Sequence, residues 1–399
     1  MAGLPDIGGK TLPGYEPVAD AFARNFRDPG EIGAACCVYV DGEQVVNLRG
    51  GLADVGTQAS WTDRTIVMVY SATKGLTAMC ALLLAQRGEL DLDRPVAAYW
   101  PEFAVGGKDR ITTRQVLSHQ AGLPVIDRTL THQEVLDGGP VTEALAAQPP
   151  VWDPGTRHGY HMLTYGWLVG EIVRRVSGES IGAFFAREFA DPLGLSTWIG
   201  LPASEESRVA ALAAPAHMSA AQAARQEPDE ESRAAAAALM AAFSDPQSLT
   251  MRASNLNGAI GGWAEQNSPA FRSAEIPSVN GMTDARSLAR LYAACVSPVD
   301  GCRTLDAATV AEATKPASEG PDAVIFTPTR YGLGFGLPTP ATPLLGPSTF
   351  GHSGMGGALG FADAEHRVGF GYVMNKLGIA SSIGPRAERL IDALRGCLH

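Results

Sequence analysis

Between Leu76 and Leu84 the sequence is almost wholly apolar. A helix built from it has no polar face to offer to water, so it must lie inside the protein with other elements packed around it. The segment ahead of it, Thr65-Ile66-Val67-Met68-Val69-Tyr70, is an apolar run of β-prone residues, and Ser71-Ala72-Thr73-Lys74 stands at the junction. Residues three apart share a helix face, which brings the Ser71 hydroxyl and the Lys74 ammonium within reach of each other without help from the rest of the fold. A lysine in the first turn of a buried helix is costly to desolvate unless it has a polar partner or a lowered pKa, and a lowered pKa is what an activating base requires. The Ser71 N–H, at the helix N-terminus, suits the negative charge that develops on a carbonyl oxygen under attack. The competing reading is an N-cap serine followed by a solvent-facing lysine, which the apolar context disfavours. Gly75, a poor helix former, reads as room for close approach of another element.

The rest of the chain divides by pattern. Residues 34–54 alternate around Asp41-Gly42, the mark of a β-hairpin with a tight turn. The helix from Ser71 ends near Arg87-Gly88, and a long, mostly helical middle follows. It includes Thr113–Leu117, Trp167–Val176, Ile181–Phe189 and, after the acidic first turn Pro228-Asp229-Glu230-Glu231, the helix Ser232–Phe243. From about residue 325 the pattern returns to strands at Tyr331–Leu337, Thr349–His352, Gly360–Asp363 and Val368–Asn375, closed by a helix over Pro385–Cys397. Strands at both ends and helices between predict an α/β (α+β) protein in two parts. Residues 1–75 and 300–399 form one discontinuous sheet domain, and 76–299 form an inserted, mostly helical domain carrying the substrate-pocket segment. Ligands usually bind in a cleft between two such parts. The irregular stretch 200–280 is expected to supply pocket walls, with Trp263 and Phe271 as lining residues.

Composition narrows the function classes. The net charge of −11, with no basic cluster, disfavours nucleic acid or an anionic membrane as partner and suits small uncharged substrates. No stretch reaches the roughly 18 apolar residues of a membrane span, and the N-terminus lacks a basic region followed by an apolar one, so the expected compartment is the cytoplasm. The six cysteines show no C-x-x-C spacing and sit mostly in apolar surroundings, which predicts buried free thiols rather than disulfides or metal ligands.

Two further segments carry chemistry. Tyr160, in Gly159-Tyr160-His161-Met162, places a phenol at the mouth of a helix, where a core tyrosine is the simpler alternative. Phe350-Gly351-His352-Ser353-Gly354-Met355-Gly356-Gly357 interrupts a strand pattern with four glycines, either for close backbone approach to a ligand or as a bulged edge strand. Two other patterns are set aside. Gly178-Glu179-Ser180-Ile181-Gly182 matches G-x-S-x-G, but a helix rather than a strand precedes it, so Ser180 reads as a turn residue. His158 and His161 have no carboxylate or cysteine cluster nearby and are not read as metal ligands.

In this order, S-x-x-K, a tyrosine in the helical middle and a K/H/W-[ST]-G triplet on a late strand, the chain resembles the serine β-lactamase and penicillin-binding-protein superfamily. Within it the chain is most similar to the family VIII carboxylesterases. Tyr99-Trp100-Pro101, Leu117-Ser118-His119-Gln120-Ala121-Gly122-Leu123-Pro124 and Pro192-Leu193-Gly194-Leu195 carry the likeness too. The resemblance implies a β-lactamase-like fold, an antiparallel sheet flanked by helices with an inserted, mostly helical domain. It implies Ser71 as acyl-accepting nucleophile, Lys74 as the lysine that helps deprotonate it, and Tyr160 as the residue acting with Lys74, first as base and later as acid. The N–H groups of Ser71 and Met355 would form the oxyanion hole, and His352, Ser353 and Gly354 would bind substrate, with no metal or organic cofactor. Free lysine and tyrosine both titrate near 10, so the pair is expected to share a proton or to lower one another. Met162 and His352 stand where β-lactamases of the superfamily usually carry asparagine and lysine. A lysine can pair with a β-lactam carboxylate, whereas a neutral histidine donates one hydrogen bond, so esters gain relative to charged lactams. The implied activity is that of a serine carboxylesterase on short-chain acyl esters, working through an acyl-enzyme. The alternatives are a β-lactamase or peptidase, an acyltransferase, and a non-catalytic scaffold that serves as an interaction protein.

Overall fold

The computed structural model of the chain describes residues 7–27, 30–213, 230–378 and 383–398. Its main sheet is built from β1 (Ile7–Thr11), β2 (Gly33–Val40), β3 (Glu43–Asp54), β4 (Thr349–Ser353), β5 (Leu359–Asp363) and β6 (Val368–Met374). The order is β1-β3-β2-β6-β5-β4, every neighbour is antiparallel, and Ala59–Ser60 adds a short seventh strand on β3. Asp41 and Gly42 both take positive φ, 53° and 80°, so the turn joining β2 to β3 twists with its strands, as the Asp-Gly pair predicts. The two ends of the chain meet where β2 pairs with β6, from Val40 opposite Val368 to Ala34 opposite Met374.

Five helices set the frame of the molecule: α1 (Glu16–Asn25), α2 (Thr73–Gln86), α3 (Thr164–Ser177), α4 (Ala285–Val296) and α5 (Gly384–Arg395). β5 and β6 are buried at every residue, so both faces of the sheet are covered. α4 covers one face, lying on β2, β5 and β6. It approaches so closely that a Cβ at Gly371 would collide with the Ala285 carbonyl, and one at Gly369 with the Ala289 carbonyl and the Ala293 N–H. Side chains alternate along a strand, so Tyr372 points to the other face. There its hydroxyl meets Glu31, which is ion-paired with Arg386 of α5, and α5 packs on α1. α4, which lies within the stretch 76–299, thus packs on the sheet, a choice of partner that its helical periodicity does not specify.

α2 is buried continuously from Thr73 to Leu84 and packs on α3, the environment its lack of a polar face demands. The β-prone run ahead of it makes only a two-residue strand, Val67–Met68. This pairs with Met282–Thr283, which also pairs with Thr197–Trp198. Between residues 328 and 337 the strand is Pro328–Tyr331, in a hairpin with Ser318–Pro321, and the glycines at 332, 334 and 336 end it. Gly336 bridges to Gly351 across the outer edge of β4. Phe271 is 1 % exposed in the main core rather than on a pocket wall, and the Trp263 side chain lies outside the described residues. Pro228 and Asp229 also lie outside them, and the alanine-rich helix runs from Glu230 to Ser244. Cys36, Cys37, Cys80 and Cys295 are buried free thiols. Among the described residues no helix is long and apolar enough to cross a membrane.

The tight seat of α4 on the sheet gives a stability test. Gly371→Val places side-chain atoms where the Ala285 backbone stands and should cost about 3 kcal/mol by urea denaturation, as overpacking of a close-packed core does.

Candidate active site

Ser71 lies not in α2 itself but in a single 3₁₀ turn, Tyr70–Ala72, that leads into it. Tyr70 takes a φ of 46°, a left-handed conformation that a bulky residue adopts only when its surroundings enforce it. The enforcement is visible in the hydrogen bonds. The Val69 N–H donates to the Gly281 carbonyl at 2.9 Å, the Thr73 hydroxyl donates to the Tyr70 carbonyl at 2.5 Å, and the Gly281 N–H donates to the Thr73 hydroxyl at 2.9 Å. The Tyr70 hydroxyl donates to Gln266 at 2.9 Å. This sharp corner turns the Ser71 side chain out to partial exposure while the next residues enter the core.

One turn further, Lys74 is 0 % exposed. Its Nζ lies 3.2 Å from Ser71 Oγ, 2.7 Å from the Met162 carbonyl and 3.2 Å from the Ser278 carbonyl. Desolvation holds its pKa well below the ordinary lysine value. The two carbonyls can only accept, so a neutral amine gives both of its N–H groups to them and has its lone pair left for the Ser71 hydroxyl. Gly75 leaves the space in which the Tyr292 hydroxyl sits, since a Cβ there would overlap it.

Tyr160 comes from the loop before α3. Its ring centroid is 4.7 Å from Lys74 Nζ, it stacks 6.0 Å from the His352 ring, and it packs against Tyr331 at 6.1 Å. Desolvation raises the phenol above its usual value, and Ser71, close enough to act on it, pulls the other way. Burial therefore pushes Lys74 and Tyr160 toward the same state, both uncharged. The Tyr160 N–H donates at 3.0 Å to Asp322 Oδ1, which also receives the Val324 and Ile325 N–H groups at 2.8 and 3.0 Å. Asp322 is 2 % exposed, and sequence reasoning did not single it out. Nor did it find Ser278, whose carbonyl holds Lys74. No residue-type signal marks a backbone carbonyl, although the buried Asp322 in a turn-rich stretch had one.

The late-strand triplet reaches the same place. His352 and Ser353 end β4, and Gly354 lies against the 3₁₀ turn so closely that a Cβ would collide with the Val69 carbonyl. The turn that follows is closed by the Gly354 N–H donating to the Ala358 carbonyl at 2.7 Å and the Gly357 N–H to the Gly354 carbonyl at 3.0 Å. Met355 rides on it with a 46 % exposed side chain, next to the corner that carries Ser71. His352 gives its Nδ1–H to the Ser353 carbonyl at 2.7 Å, so Nε2 carries no proton, and Nε2 is buried without a partner among the described residues. Its donor is spent inside the protein. Desolvation lowers its pKa to about 3.

The residues set aside from sequence lie elsewhere or have structural bonds. Ser180 caps the short helix Ile181–Phe185 by accepting the Ala183 N–H, and its hydroxyl donates to Glu275 at 2.6 Å. His161 donates Nδ1–H to the Gly159 carbonyl at 2.6 Å and accepts the Leu123 N–H on Nε2 at 3.0 Å, which fixes it neutral. Burial lowers its pKa to about 4. His158 Nε2 lies 2.9 Å from the Thr329 hydroxyl.

Comparison with known proteins bears on the family and the fold. The family model described as Beta-lactamase matches residues 19–394. Esterase/beta-lactamase LipL of Mycobacterium tuberculosis (strain ATCC 25618 / H37Rv) is 36% identical over 386 residues, covering 94% of this chain and 85% of that protein. The crystal structure of a family VIII carboxylesterase superposes with a TM-score of 0.85 at 37% identity, over 98% of this chain and 100% of the other. A penicillin-binding protein homolog from Caulobacter crescentus gives the same TM-score, identity and coverage. The fold is β-lactamase-like, as expected from the motif order.

The two neutral histidines make the site sensitive to acid. Their folded pKa values, about 4 for His161 and about 3 for His352, lie below the unfolded value of 6.5. In that window the unfolded chain binds protons that the folded protein refuses, so their contribution is complete above about pH 6.5 and is lost as pH falls toward 4. The urea midpoint should drop between pH 7 and pH 4.5, and His352→Gln should make the drop shallower.

Proposed function

We propose that this chain, which belongs to the beta-lactamase family, is a serine carboxylesterase of the family VIII type. It hydrolyses short, uncharged acyl esters through an acyl-enzyme. The observation that carries the reading is a buried Lys74 whose Nζ lies 3.2 Å from Ser71 Oγ and is otherwise bonded only to the Met162 and Ser278 carbonyls, with no carboxylate among these partners. Desolvation favours the uncharged amine of a lysine so placed, the form that can act as a base.

The chemistry follows from the protonation states. Ser71 Oγ bonds to the ester carbonyl carbon while its proton passes to Lys74 Nζ. The carbonyl oxygen takes the negative charge and is held by the N–H groups of Ser71 and Met355. Collapse of this adduct expels the alcohol oxygen, which takes the Tyr160 phenolic proton, and Tyr160 is reprotonated from Lys74. Water then attacks the acyl-enzyme with the same groups in reverse, releasing the carboxylic acid and restoring Ser71. The raised phenol pKa fits Tyr160 as a proton carrier that stays neutral between steps rather than as a standing tyrosinate. His352 has no free N–H for a substrate carboxylate, which favours a neutral ester over an anionic lactam. The reaction calls for no metal or organic cofactor.

Ser71→Ala should abolish hydrolysis of p-nitrophenyl butyrate and labelling by a fluorophosphonate, while Ser180→Ala leaves both intact. Tyr160→Phe should lower kcat by about 10²–10⁴, the usual contribution of a positioned acid–base group. Full activity in Ser71→Ala ends the reading. Faster turnover of a chromogenic cephalosporin than of the ester moves it to a β-lactamase, and ester exchange with added alcohol that outruns hydrolysis moves it to an acyltransferase.

A further inference from the structure

The loop that carries Tyr160 is held by a histidine for which the proposed reaction has no use. His119 is 1 % exposed and takes a φ of 61°, a left-handed conformation that strains a residue other than glycine or asparagine. The strained turn lets one residue grip the loop twice. The His119 carbonyl accepts the Gly159 N–H at 3.1 Å, and His119 Nδ1 accepts the His161 N–H at 3.2 Å. The N–H between them, that of Tyr160, goes to Asp322. Three successive N–H groups thus have fixed acceptors, two of them on His119. The His119 ring also lies edge-on to the Tyr160 ring, centroids 5.0 Å apart at 64°, and within 4.6 Å of Tyr331 and 5.0 Å of Tyr165.

An Nδ1 that accepts an N–H must leave the imidazole proton on Nε2, so the grip needs the neutral ring. The site supplies that condition. Desolvation keeps the His119 pKa well below the ordinary histidine value.

We propose that His119 is a positioning residue for Tyr160. By bonding the backbone on either side of it and packing on its ring, His119 sets where the phenol stands relative to Ser71 and Lys74. The proposal rests on the reading of Tyr160 as the proton carrier of an ester hydrolase. A proton carrier tolerates little displacement, because misplacement of about 1 Å can cost on the order of 10²-fold in rate.

Two substitutions separate the acceptor from the packing. His119→Leu removes Nδ1 and keeps the bulk and the carbonyl. His119→Asn places an acceptor near the Nδ1 position and suits the left-handed backbone. With p-nitrophenyl butyrate, His119→Leu should lower kcat about 30- to 100-fold with KM changed less than about threefold, and His119→Asn should return to within about fivefold of the unaltered protein. On a Tyr160→Phe background His119→Leu should add less than about threefold, because the group to be positioned is gone. Unchanged kcat in a folded His119→Leu, or losses that multiply fully in the double variant, overturn the proposal and leave the role of Tyr160 standing. An unaltered protein without esterase activity, or one indifferent to Tyr160→Phe, overturns the functional reading instead. Should His119→Leu fail to fold, the Asn and Gln variants carry the test, since Gln sets its amide one carbon too far out. Equal kcat in those two overturns the proposal.

Discussion

The desolvation of one amine organises the centre of this protein. Lys74 sits where water does not reach, on a helix with no polar face, and its charged form is penalised by the same burial that stabilises the apolar residues following it. The molecule meets that penalty with two backbone carbonyls rather than a carboxylate. A carboxylate would have restored the charge and removed the basicity. Carbonyls satisfy the amine without charging it, and in the proposed reaction that difference separates a base from a structural ion pair.

The same preference for neutral polar partners extends outward. His161 and His352 are locked into single tautomers by bonds to carbonyls and N–H groups, and His119 by the N–H it accepts. Each is held below its ordinary pKa by desolvation. A cluster of this kind keeps the dielectric around Ser71 low without placing a fixed positive charge beside it, which strengthens hydrogen bonds to a developing oxyanion. The backbone pays for the arrangement at two corners, Tyr70 and His119, both in left-handed conformations enforced by hydrogen bonds from distant segments.

The sheet and the site are coupled through close backbone contact. α4 lies on β6 with no room for a Cβ at Gly369 or Gly371, and Gly354 at the end of β4 presses on the turn that carries Ser71. Arg386 of α5, ion-paired with the buried Glu31, donates to the Gly356 carbonyl at 2.8 Å and so ties the Met355 turn to the far face of the sheet. The N–H proposed for the oxyanion hole is thereby anchored to the same layers that make the fold stable.

Local sequence determined a good deal. The apolar run after Ser71 required a buried helix, the i,i+3 spacing placed Lys74 beside Ser71, Asp41-Gly42 specified a two-residue hairpin, and the order of three motifs pointed to the β-lactamase-like fold. The first three follow from periodicity and steric rules that act over a few residues, and the last from the resemblance to a known family. What only the tertiary structure decided depends on partners far away in the chain: the side of the molecule on which α4 packs, the short strand where an apolar run suggested a longer one, and the carbonyls of Met162 and Ser278 that accept from Lys74. A backbone carbonyl is the same at every position, so the sequence carries no mark of which one will face the amine. That choice is made when the chain closes on itself and the buried amine must find acceptors within reach.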